Sequence, residues 1–208
     1  MKSLLLSLLM FGFFMASGQS EKYLDAMKKN LALFDSAKSN ADYQSLANTF
    51  ERIGNAEKTQ WLPFYYAGLV LATEGWNDPN LDKDANSTRI NALCDKAAAI
   101  DNNSEIFAIR NMAATQQMMI DPQTRWQTYG VQASKDIEDG LKLNPDNPRL
   151  YYLRGESIFN TPVAFGGGKE KAKPVFEKAL ALFKVDKPKP LYPNWGMQRT
   201  EEQLAKCQ

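Results

Sequence analysis

Histidine is absent from all 208 residues. The commonest general base near neutral pH and the commonest metal ligand is therefore missing. That excludes Ser-His-Asp and Cys-His catalysis and every histidine-dependent zinc site. Cysteine is nearly absent too, with only Cys94 and Cys207. Two thiols cannot build a structural zinc site. In an oxidising compartment they could form one disulfide, and the alternative is that Cys94 serves as a small buried hydrophobe. Charge of one sign is lacking as well: 25 Lys+Arg face 24 Asp+Glu, without a block of either. A balanced chain has no long-range field to gather nucleic acid or an anionic membrane. Sustained alternation of β-branched residues, the mark of a strand, is also missing.

The one long apolar run is at the start. Leu4 to Met15 follows Lys2 and leads into Ala16-Ser17-Gly18. It is shorter than the roughly 20 residues a membrane-spanning helix needs, and it has the charge, apolar stretch and small-residue site of a cleaved secretory signal. The expectation is a signal peptide over 1–18, with Gln19 opening the mature chain. Gln19 is not the cysteine a lipoprotein requires, so no stable membrane anchor is expected, and the mature protein should be exported and soluble, periplasmic or secreted. Residues 19–208 then form one domain.

Apolar residues there recur at helical spacing, as in Leu46, Phe50 and Ile53. Helices are expected over 21–37, 42–54, 61–75, 85–100, 104–119, 123–143, 148–160, 169–184 and 197–206. Asn77-Asp78-Pro79, Asp121-Pro122, Pro145 to Pro148 and Pro188 to Pro193 separate them. The fold class expected is all-α.

The helices also resemble one another. Ala172, Phe176 and Ala179 share their steps of 4 and 3 with Ala133, Ile137 and Gly140, and with Ile90, Cys94 and Ala97. "PFYYAG" ends at Gly68 and "LYYLRG" at Gly155, with Met112 at the corresponding point between them. These residues resemble the tetratricopeptide repeat, stretched beyond its usual period of about 34 residues. The resemblance covers roughly 42–184. It implies antiparallel helix hairpins stacked as a short right-handed solenoid, with a linker at about 185–194 and a capping helix at 197–206 that covers the last repeat. Small residues at Gly68, Gly155, Ala133 and Ala172 would let paired helices approach closely.

"TPVAFGGGK" looks at first like a phosphate cradle. A P-loop needs G-x-x-x-x-G-K-[ST] between a strand and a helix, whereas Lys169 precedes Glu170 and the flanking elements are helical. The stretch reads instead as an insertion in the turn of the last hairpin. Pro162 ends a helix, the glycines permit positive φ, and Phe165 is expected to plug back into the core. A ligand-contacting loop is the alternative.

By resemblance, such arrays bind peptides or proteins on the concave face lined by first helices. Carried over to this chain, that register singles out Tyr65, Gln116, Gln117, Arg149, Tyr152 and Glu156. The leading expectation is a non-enzymatic scaffold for a protein or peptide of the cell envelope, with no cofactor, no metal, no catalytic residue and no nucleic-acid partner. The competing reading is a binder of a small ligand or glycan, with Tyr65 and Tyr152 as stacking platforms. A carboxylate-only hydrolase needs no histidine, but no Asp or Glu pair sits in a distinctive motif here.

Overall fold

The computed structural model describes residues 21–208, so the expected signal peptide and its cleavage site lie outside the described residues. Among the described residues every regular element is helical. In order these are α1 (Glu21–Ser36), α2 (Asn40–Ala56), α3 (Leu62–Asn77), α4 (Lys83–Ile100), α5 (Ser104–Ile120), α6 (Pro122–Arg125), α7 (Val131–Leu143), α8 (Pro148–Asn160), α9 (Lys169–Val185) and α10 (Met197–Lys206). A π-turn, Trp126–Gly130, joins α6 to α7, so the single helix expected over 123–143 is present but locally underwound.

Local chemistry sets the boundaries. Ser39 and Asp42 form a reciprocal capping box at the start of α2. Asp82 caps α4 through the Ala85 amide, and Asn103 caps α5 through that of Glu105. Pro148 opens α8, where its missing N–H costs nothing. α9 begins at Lys169 as expected and runs through Pro174.

Apart from the short α6, which packs on α5 and the π-turn, each helix packs on its sequence neighbour, and the first helices of successive hairpins also meet, α3 on α5 and α5 on α8. The small residues explain the close approaches. A Cβ on Gly68 would lie 3.1 Å from Ile109 Cγ2, and one on Gly155 would lie 2.5 Å from the ring of Phe176. Phe176 therefore fills space against Gly155 within its own hairpin, and Ala172 behind it is fully buried. The main core gathers Phe50, Trp61, Tyr65, Tyr66, Leu71, Ile90 and Ile109 from α2 to α5, and a smaller one centres on Tyr152, Phe176 and Phe183. Cys94 and Cys207 are both free thiols. Cys94 is buried as a small hydrophobe, and burial pushes its thiol up to about 12.

Two segments without α-helix flank α9, and each departs from expectation. The glycine-containing turn does not return Phe165 to the core: Phe165 is 83% exposed and Val163 79%. The turn satisfies itself locally, with Phe165 N donating to Pro162 O (2.9 Å), Gly166 N to Val163 O (3.0 Å) and Gly168 N to Ile158 O (2.9 Å). Gly166 and Gly168 adopt φ of 89° and 101°, and Gly167 has carbonyl oxygens where a Cβ would stand. No core contact is needed to hold that path. The second segment, Asp186 to Trp195, is more than a linker. It lies as a strap across the face of α3 and α8.

Candidate functional site

The strap is tied down at three points. At its root the Asp186 carboxylate accepts from Arg149 (3.1 Å). At its far turn Leu191, a non-glycine residue at φ 68°, accepts from the Tyr66 hydroxyl through its carbonyl (2.8 Å). Tyr192 there packs edge-on against Trp61, with ring centroids 5.6 Å apart. At its end the Trp195 indole N–H donates to the Tyr65 hydroxyl (2.8 Å), and its ring meets Tyr152 edge-on. Trp195 touches all three apolar clusters of the protein.

This contact set accounts for three of the six residues that the repeat register singled out, Tyr65, Arg149 and Tyr152. Tyr65 is 1% exposed and holds Trp195. Gln116 is buried beneath Gly75, its amide donating to Ala72 O (2.6 Å). Arg149, 4% exposed, donates to Glu105 (2.7 Å) as well as to Asp186. These three side chains are inside the protein and engaged by its own chain, so they do not line an open groove. Burial pushes the Glu105 carboxyl up, while Arg149 and the Asn147 amide hold it down. Gln117 is half-buried elsewhere and donates to Asp84 (3.1 Å), which also takes two bonds from Arg125.

Tyr152 and Glu156 are the two that the fold brings together. They sit one turn apart on α8, beneath α10. Burial raises the Tyr152 phenol to about 12, with Glu156 adding to the shift and Arg199 opposing it. Burial also raises Glu156, against hydrogen bonds from Gln203 and Asn160. Above them, where the strap turns into α10, Asn194, Trp195, Gly196, Met197, Arg199 and Glu201 line a cleft of about 490 Å³. Gly196 makes the corner at φ 108°, where a Cβ would meet the Phe183 ring at 2.7 Å. Met197, Gln198 and Arg199 are exposed along its rim. An indole, a thioether and a guanidinium in one shallow cleft suit a flat apolar molecule carrying an anionic group.

A second cleft, about 420 Å³, opens at the other end of the hairpins between Pro79, Leu81, Asp82, Lys83, Asp84, Met119 and Ile120. Asp82 is committed to capping α4 and Asp84 to Arg125. Its edge is acidic, which opposes an anionic ligand. Among the described residues no group of three or more Cys, Asp or Glu could hold a metal ion.

Sequence reasoning left Trp195 between the expected linker and capping helix and passed over Met197 and Arg199 as binding residues. The signal was the run Trp195-Gly196-Met197-Gln198-Arg199 directly after a proline-rich stretch. It carries three side chains of binding type, of which Met197 and Arg199 are exposed.

No protein-family model matches the chain, that of the tetratricopeptide repeat included. No curated protein matches it either. Among solved structures it is similar to the HusA haemophore from Porphyromonas gingivalis, at 34% identity over 92% of this chain and 95% of that one, with a TM-score of 0.81. Identity at that level over nearly the whole of both chains places them together: this chain belongs to the family of the HusA haemophore.

Proposed function

We propose that this protein is an exported, non-enzymatic binder of haem, taking it at the cleft of Trp195, Met197 and Arg199. The single observation that carries the reading is the likeness to a haemophore along nearly the whole of both chains. The cleft supports it chemically. Trp195 offers a ring face, Met197 a soft thioether of the kind that ligates haem iron, and Arg199 a cation for a propionate. Histidine is absent from the sequence, and Tyr152 is buried beneath α10 and does not line the cleft. Binding therefore rests on ring contact and on Met197. The hairpins are read as a short right-handed tetratricopeptide-like solenoid whose concave face, expected for a peptide, is filled by the strap. The signal-like residues 1–18 support export, and no described helix is long and apolar enough to cross a membrane.

Haemin titration followed at the Soret band tests this, with quenching of tryptophan fluorescence as a second readout. Saturable binding is expected, weakened about five- to tenfold by Met197→Ala and by Arg199→Ala, the loss of an interface anchor of about 1 kcal/mol. Both side chains are exposed, so folding should be untouched. A flat titration, or wild-type affinity in both variants, would overturn the reading.

A further inference from the structure

We propose that the turn Pro162–Gly168 is a docking finger for an anionic lipid bilayer surface. Pro162, Val163, Ala164 and Phe165 are all exposed, with Phe165 and Val163 the two most exposed large apolar side chains among the described residues. They are held outward by a rigid frame. Three consecutive backbone bonds close the turn on itself, Gly168 N anchors it to Ile158 O, and Gly167 is wedged against the Thr161 and Ile158 carbonyl oxygens. Solvent-facing apolar side chains are thus fixed in place on a frame that has no use for them, the arrangement expected of an interaction site.

The charge around the finger identifies the partner. Lys169 follows directly, Lys171 brings its ammonium beside Gly166, and Lys173 lies one turn further along the face of Lys169. All three are exposed in the first two turns of α9, where the positive end of the helix disfavours them. Glu170 is the one carboxylate among them. A convex apolar tip ringed by long cationic side chains matches a bilayer interface, in which phenyl and valine side chains enter the acyl boundary and lysines stay at the headgroup phosphates. The chain as a whole is nearly neutral, so the attraction is local, short-ranged and reversible. The finger lies at the turn between α8 and α9, away from the cleft at Trp195, so it could hold a carrier at a membrane without using the cleft.

Co-sedimentation of the mature protein with vesicles of phosphatidylcholine containing one-third phosphatidylglycerol tests the proposal. Binding is expected to the anionic vesicles and to fall by at least about tenfold on pure phosphatidylcholine, in high salt, or in Lys169→Gln/Lys171→Gln/Lys173→Gln. Val163→Ser/Phe165→Ser should lose binding similarly with an unchanged melting temperature and unchanged haemin titration. Absence of binding by the wild type, equal binding to neutral vesicles, or wild-type binding by the serine variant overturns the proposal. So does a serine variant that fails only to self-associate in analytical ultracentrifugation, which would assign the finger to a second copy of the chain.

Discussion

The turn before α9 and the strap after it are of comparable length and similarly rich in Pro or Gly, yet they direct their apolar residues in opposite senses. The turn exposes Val163 and Phe165, whereas the strap sets Trp195 among three apolar clusters and Tyr192 against Trp61. The difference lies in where their polar groups find partners. Every bond that shapes the turn is made to its own backbone or to the end of α8. The strap's key polar groups are instead met by distant side chains, Tyr66 at the Leu191 carbonyl and Tyr65 at the Trp195 indole. A segment that completes its own hydrogen bonds leaves its side chains free for a partner. One that borrows them becomes part of the interior.

The sharpest way to break the comparison is at the strap's root. Arg149 joins α8 to α5 through Glu105 and to the strap through Asp186. Arg149→Ala would leave Glu105 buried beside only the Ser104–Asn147 pair, the situation that costs about 3–5 kcal/mol in buried ion pairs. Urea unfolding should show a loss of that size, and a loss below about 1 kcal/mol would mean that the strap is not anchored there.

The next test sets the two segments side by side. Trp195→Ala removes a ring that three apolar clusters share, and should cost about 3 kcal/mol. Phe165→Ala removes a ring 83% exposed and should stay within about 0.5 kcal/mol. Equal shifts in melting temperature would erase the distinction between an inward and an outward segment.

How much of this was legible follows the range of each interaction. The helices were, because spacing and breakers such as Pro148 are local, and α9 and α10 begin at the expected residues; the caps Ser39 and Asp82 were not read, and α2 and α4 begin two residues before their expected starts. Gly155 and Ala172 were legible as close contacts, because only small side chains allow two helices to approach so nearly. The strap was not. Its bonds from Tyr66 and Trp195 span 125 and 130 residues, and no periodic pattern records a pairing of that separation. The surface register of Tyr65 and Arg149 depended on that same missing fact, since a first-helix face is open only if nothing later in the chain covers it. Phe165 misled for the opposite reason: an aromatic beside glycines suggests a plug, while the self-contained hydrogen bonding that frees it is invisible in residue types.

The smallest effect contrasts two buried acids. Glu105 near the strap's root is bonded to Arg149, whereas Asp136 on α7, 4% exposed, accepts only the Gln132 amide (2.9 Å). Burial raises Asp136 to about 6, against the pull of Gln132, Arg110 and Lys135. The folded state therefore holds this proton more tightly than the unfolded chain, whose aspartates titrate near about 4. Stability should fall as pH rises from about 4 to about 6 and then level off, because the unfolded state binds fewer protons across that window. Asp136→Asn keeps an acceptor for Gln132 and removes the titration. The variant should gain on the wild type by about 1–2 kcal/mol between pH 4 and pH 7 in denaturant unfolding, a value set below the full shift because water reaches part of the site. A gap that instead widened as the pH dropped would mean that the Asp136 carboxylate is stabilised in the folded protein and that α7 carries a charge partner of its own.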